Sequence, residues 1–152
     1  MPKVAILVGS KSDLPVMEAC EKYLAYFGVE YEMHVSSAHR NPEETAEFAR
    51  KARENGFSAL IAAAGMAAHL AGALAAHSTL PVIGVPLGGS ALNGVDALYS
   101  TVQMPTGVPV ATMAIGKAGA ANAAIFCAQI LSINSPDLQD KLAAFKKMGS
   151  RL

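Results

Sequence analysis

Val4-Ala5-Ile6-Leu7-Val8-Gly9-Ser10-Lys11-Ser12-Asp13 is the stretch on which the fold turns. Its first five residues are an unbroken apolar run, as expected of a strand buried on both faces of a parallel sheet. Gly9 then permits a tight turn, Ser10 and Ser12 carry hydroxyls, and Asp13 is placed to cap a helix starting near Leu14-Pro15. Met17, Cys20, Leu24 and Phe27 fall on one face of that helix, and Gly28 ends it. The alternation continues, with strands predicted at 31–35, 58–64, 81–86 and 110–114 and helices between them. Five strands alternating with helices give a three-layer α/β/α domain with a five-stranded parallel sheet.

In such a sheet ligands bind beyond the carboxyl ends of the strands, where helix amino termini present unpaired N–H groups. Val35-Ser36-Ser37-Ala38-His39-Arg40-Asn41-Pro42-Glu43-Glu44 lies at that edge. Asn41 is placed to cap a helix over 42–55, with Pro42 at its first position, Glu44 at its third, and Gly56 as a left-handed stop. A titratable imidazole and a fixed cation in this loop point to acid–base work on an anionic substrate. The serine-bearing turn at Ser10, Ser12 and Asp13 suits a phosphate or ribose, although by itself it reads as a capped turn. After the third strand, Gly65-Met66-Ala67-Ala68-His69-Leu70-Ala71-Gly72 offers small side chains that let backbone approach a ligand, with the Met66 and Ala67 amides as donors. His69, one turn into the helix expected here, is either a second site histidine or a core histidine; the residues alone favour the core. Leu87-Gly88-Gly89-Ser90 reads as a flexible loop, followed by a short helix at 93–100. Pro105 and Pro109 restrict the loop after that helix. His34 and His77 carry no assignment.

The totals narrow the function classes. With 152 residues the chain is one domain's worth, and 12 Lys plus Arg balance 12 Asp plus Glu, so no broad basic face advertises nucleic acid or an anionic membrane. A phosphorylated ligand must therefore be held locally. Cys20 and Cys127 lie in separate helices without metal-ligand spacing and read as buried thiols in a reducing compartment. The start of the chain has no charged-then-apolar leader, and no run of about 18 apolar residues reads as a membrane span. The expectation is a cytoplasmic protein.

Hydrophobic residues make up 52% of the chain and charged residues 16%, with the excess carried by alanine. The helix predicted at 118–131 is apolar on nearly every side, more than one small sheet covers, and so is expected to pack against copies of itself. At 135–152, Ser135 caps, Pro136 starts, and Leu138, Leu142, Phe145 and Met148 form a stripe on a tail expected to leave the 1–134 core and pack on a neighbouring subunit.

Six motifs in order are now specific. They are Gly9-Ser10-Lys11-Ser12-Asp13, Ser36-Ser37-Ala38-His39-Arg40, the segment from Ala64 to Leu70, Ala91-Leu92-Asn93-Gly94, Gln103-Met104-Pro105, and the segment from Ala114 to Ala123. Together they resemble the N5-carboxyaminoimidazole ribonucleotide mutase family of purine biosynthesis. The resemblance implies a single flavodoxin-like domain over 1–152, a homo-octamer with sites built from more than one subunit, and a phosphorylated aminoimidazole nucleotide as substrate. It implies no metal and no cofactor. A related branch, which carboxylates aminoimidazole ribonucleotide directly with CO2, tends to carry Lys after the motif histidine, so Arg40 matches the mutase branch. Met66 and Ala71 depart from the family pattern, which commonly has Gly and Pro there.

The resemblance also implies roles. His39 is the general acid and base, since an imidazole ordinarily titrates at about 6.5 and can give and take a proton near neutrality. Ser10, Ser12 and Asp13 bind ribose and phosphate, while Ser37 and Arg40 hold the phosphate. Ala38, Gly65, Met66, Ala67, Ala68 and Leu70 surround the imidazole and carboxylate, and His69 lies at the pocket wall. Three rivals remain: the direct carboxylase, a flavodoxin-type flavin or nucleotide module, which lacks its aromatic-flanked loop here, and a purely structural oligomer, which leaves His39 without a task.

Overall fold

The computed structural model describes residues 2–152. Among these, β1 (Lys3–Val8), β2 (Glu30–Val35), β3 (Phe57–Gly65), β4 (Val82–Leu87) and β5 (Ala111–Thr112) form one parallel sheet in the order β2-β1-β3-β4-β5. That order is the flavodoxin-like doubly wound arrangement, and its topological switch point lies between β1 and β3. The helices are α1 (Leu14–Phe27), α2 (Pro42–Lys51), α3 (Leu70–His77), α4 (Val95–Val102), α5 (Lys117–Ser132) and α6 (Pro136–Lys147).

Alternation along the buried strands divides the core in two. Val4, Ile6 and Val8 of β1 join Ala59, Ile61 and Ala63 of β3 on the side covered by α1 and α5. Ala5 and Leu7, with Leu60 and Ala62, face Ala49 and Ala52 from α2 and its end, and Leu70, Ala71 and Leu74 of α3. The three-layer arrangement follows directly, because a strand that is apolar at every position must be covered on both faces.

Several boundaries differ from expectation. β5 forms only two ladder positions of the predicted five, Ile83 opposite Ala111 and Gly84 opposite Thr112. Pro109 supplies no N–H just before it, and the chain then swings toward Gly116, whose φ is 79°. α2 stops at Lys51, and turns carry the chain to Gly56, which does adopt the left-handed conformation with φ 87°.

α5 and α6 both find apolar partners within the chain. α5 buries Ala120, Ala123, Ala124, Cys127 and Ala128, packing on α1 and α6, and leaves Asn122 and Gln129 exposed. On α6, Phe145 is 1% exposed and meets Phe27 edge-on with centroids 5.4 Å apart, and Tyr23 edge-on at 5.9 Å. Lys141 Nζ donates to the Phe27 carbonyl at 3.2 Å, fastening α6 to the end of α1. Leu138 and Phe145 of the stripe are thus buried on the chain's own core instead of leaving it, while Met148 stays 53% exposed. The thiols of Cys20 and Cys127 are both buried, and burial pushes each pKa up, that of Cys127 to about 12.

A different helix shows the unpartnered face. Leu92, Val95, Tyr99 and Val102 follow helical spacing along α4 and its approach, with exposures from 43% to 63%. No helix among the described residues is long and apolar enough to cross a membrane.

Candidate active site

Loops from the carboxyl ends of all five strands converge on one cleft of about 1040 Å³. Gly9 N donates to the Ala63 carbonyl at 3.1 Å, tying the ends of β1 and β3 together at the switch point beneath it.

The first wall is the turn after β1. Ser10 Oγ lies 2.9 Å from Ser12 Oγ and accepts from Ser12 N at 3.3 Å, so Ser10 caps a short 3-10 turn over Lys11–Asp13. Asp13 was expected to cap α1; it sits at that position but makes no side-chain capping bond, because the preceding turn already orders the chain. Its carboxyl is half-buried at the cleft, and that burial pushes its pKa up, with a backbone hydrogen bond to Ser10 acting the other way.

The second wall is the loop after β2. Ser36 and Thr45 are buried, with their hydroxyls 2.7 Å apart, and Thr45 Oγ1 also donates to the Asn41 carbonyl at 2.9 Å. This buried pair anchors the loop to the first turn of α2. Asn41 does not cap α2 as expected: its Oδ1 turns back toward the Ser37 amide at 3.5 Å. Ser37 Oγ accepts from Arg40 N at 3.1 Å, and the Ser37 carbonyl accepts from Asn41 N at 2.8 Å. A closed turn results, from which the exposed side chains of His39 and Arg40 project into the cleft lining.

The third wall follows β3. His69 is not in the core, and it does not lie one turn into a helix. It is the residue immediately before α3, exposed, with its ring centroid 5.4 Å from that of His39 and the planes at 45°. Met66 adopts φ 56°, so the helix expected after Gly65 begins four residues later at Leu70. That delay turns His69 toward the cleft. Gly65, Met66, Ala67 and Leu70 line it, together with Ser10, Ser12, Asp13, Ser37, Ala38, His39, Arg40 and His69. Ala68 does not: it is 2% exposed and gives its amide to Ser100 Oγ at 2.9 Å.

Residues without an earlier assignment complete the cleft. Leu87, which ends β4, and Gly88 and Gly89 beyond it, expected only as a flexible loop, line it, and Gly116 lines it after β5. Their signal in the sequence was position, since each ends or follows a strand on the carboxyl edge. Gly116 N donates to the Pro86 carbonyl at 2.9 Å, holding the start of α5 beside β4. Among the described residues no group of three or more His, Cys, Asp or Glu side chains is arranged to hold a metal. A second concavity, about 570 Å³, runs along α2 among Glu43, Glu44, Glu47, Arg50 and Lys51. Glu47 pairs there with Lys51 at 2.7 Å and with Arg50 at 3.6 Å, an exposed helix face whose charges pair with one another.

An imidazole with a second ring beside it, a guanidinium, and a hydroxyl-rich turn around a half-buried carboxyl can hold a phosphorylated, hydroxylated ligand and move a proton on it. Comparison with known proteins agrees. The AIR carboxylase family model matches residues 3–151. A Pyrococcus abyssi protein named N5-carboxyaminoimidazole ribonucleotide mutase is 54% identical over 147 residues, covering 97% of this chain and 83% of the relative. Proteins of the same name from Vibrio cholerae and Escherichia coli are 52% and 50% identical, covering 94% and 95% of this chain and 89% and 86% of their own. The crystal structure of Treponema denticola PurE superimposes with a TM-score of 0.89 at 26% identity, over 99% of this chain and 92% of that one. The chain belongs to the AIR carboxylase family.

Proposed function

We propose that this chain is an isomerase that interconverts N5-carboxyaminoimidazole ribonucleotide and 4-carboxy-5-aminoimidazole ribonucleotide in de novo purine biosynthesis, working in the cytoplasm as a homo-octamer. The observation that carries the reading is the meeting of His39, Arg40 and the Ser10–Asp13 turn at the β1/β3 switch point, in a chain about half identical to proteins named for that reaction. The exposed stripe on α4 supports an assembled state.

In this reading the carbamate of the substrate breaks down once its nitrogen is protonated. Protonated His39 gives that proton, the C–N bond breaks, and CO2 is released beside the ring. The aminoimidazole is enamine-like, so its C4 attacks CO2 and forms the new C–C bond. Neutral His39 then removes the C4 proton, which restores the imidazolium while the proton it first gave stays on the exocyclic amine, so the enzyme returns to its starting protonation state. Ser10, Ser12 and Asp13 bind ribose and phosphate, and Ser37 and Arg40 hold the phosphate. Ala38, Gly65, Met66, Ala67 and Leu70 leave no competing nucleophile near the released CO2, and confinement keeps it beside C4. His69 forms the wall opposite His39.

Arg40→Lys is expected to raise KM about tenfold with kcat less affected, because an ammonium cannot reproduce the planar two-point grip of a guanidinium on phosphate. Steady-state kinetics at fixed ionic strength would check this; an unchanged KM would count against Arg40 as the phosphate partner.

The deciding experiment presents the purified protein with fresh N5-carboxyaminoimidazole ribonucleotide in buffer stripped of bicarbonate. Rapid appearance of the C4-carboxylated nucleotide is expected. The second reading is direct carboxylation of aminoimidazole ribonucleotide, the reaction for which the matching AIR carboxylase family is named. Turnover only with aminoimidazole ribonucleotide and abundant CO2 would establish it instead.

A further inference from the structure

Met66 holds a backbone conformation that L side chains rarely adopt, φ 56°, while its side chain lies 67% exposed in the cleft lining. Such a conformation persists where the surroundings over-determine it. Within the turn His69 N donates to the Ala67 carbonyl at 2.8 Å, and the group that touches it from outside is Ser100, on the outer turn of α4 and outside every segment that lines the cleft. Its Oγ accepts from Ala68 N at 2.9 Å, with the Met66 carbonyl oxygen 3.5 Å away, so it fastens the turn at Ala68. The hydroxyl has one hydrogen, and the Asp96 carbonyl at 2.8 Å is its best acceptor, with the Ala97 carbonyl at 3.2 Å. Donation down the helix leaves the Oγ lone pairs turned to Ala68 N–H. The same helical turn holds the neighbouring loop, since Ser90 Oγ donates to Asp96 Oδ1 at 2.8 Å.

We propose that Ser100 is a positioning residue for the reaction. By occupying the Ala68 amide it fixes the left-handed turn at Met66, and that turn aims the Met66 and Ala67 peptide groups at the reacting carboxylate and brings His69 to face His39. The catalytic part of this inference rests on the mutase reading above.

The test compares the wild-type chain with Ser100→Ala and Ser100→Thr. In Ser100→Ala, amide hydrogen exchange over residues 66–69 should quicken about tenfold, the size expected from one lost hydrogen bond, and kcat should fall about tenfold with KM little changed. Ser100→Thr should restore both, because position 100 is exposed enough for the added methyl, and the adjacent Thr101 already bonds the Ala97 carbonyl at 2.7 Å. Wild-type exchange and kcat in Ser100→Ala would overturn the inference, as would a loss that Thr does not reverse. A wild-type protein inactive on the carboxyaminoimidazole nucleotide would instead refute the mutase reading, and the exchange measurement would still decide whether Ser100 holds the turn.

Discussion

Replacing His39 with Asn is expected to lower kcat by a factor on the order of 10²–10⁴, the range that general acid–base catalysis supplies, while KM changes little. Asn keeps a polar group of similar size in the loop but cannot accept and return a proton. The loop itself is held by groups other than the imidazole: the Ser36 and Thr45 hydroxyls at 2.7 Å and the Ser37 carbonyl on Asn41 N. The turn should therefore survive, with Arg40 and Ser37 still in place for the phosphate. Rapid-mixing assays in both reaction directions would measure the loss. The kcat/KM deficit must be the same each way, because the substitution leaves the equilibrium constant unchanged. Near-normal rates in either direction would remove His39 from the mechanism.

The second large effect concerns stability. Gly119→Ala is expected to cost about 3 kcal/mol or more, seen as a fall in Tm of about 6–12 °C by calorimetry. A Cβ on Gly119 would run into the Ala114 carbonyl oxygen and would approach the Ala114 carbonyl carbon to 2.7 Å and its nitrogen to 3.2 Å. These are backbone atoms and cannot rotate away. α5 starts directly after a turn at Gly116 and folds back over the segment leaving β5, so only a residue without a side chain fits at the crossing. Moving α5 would also shift Gly116 within the cleft and loosen its bond to Pro86. Gly88→Ala is the control, because a Cβ there meets nothing within 4 Å. Its Tm should stay close to wild type, and an equal loss in both variants would refute the steric account.

The sheet was legible because its central strands are apolar at every position, a pattern that leaves burial on both faces as the only outcome. The site was legible for a related reason: serine, histidine and glycine clusters follow strands, and the carboxyl edge gathers them. His69 shows where local reading stops. Its helical phase was reckoned from Gly65, but the left-handed Met66 postpones α3 to Leu70, in a turn whose Ala68 amide is bonded to Ser100, 32 positions further along the chain. Asn41 was misread for a similar reason, since its side chain serves the Ser37 amide instead of its own helix. The stripe of the tail from Ser135 names an apolar surface without saying whose, and Phe145 finds one on the chain's own α1. Tyr23, Tyr26 and Phe27 on α1 are that surface.

This last pairing also bears on how the molecule is made. Tyr26 Oη reaches Met148 Sδ across 122 positions of chain, and Phe145 closes over the same aromatic row. During synthesis α1 leaves the ribosome early, yet the helix that roofs its aromatic face is translated much later. The nascent chain therefore carries three rings without their α6 cover through most of its elongation, apolar surface of the kind that makes incomplete chains prone to associate. Translation of α6 is the moment at which that surface is withdrawn.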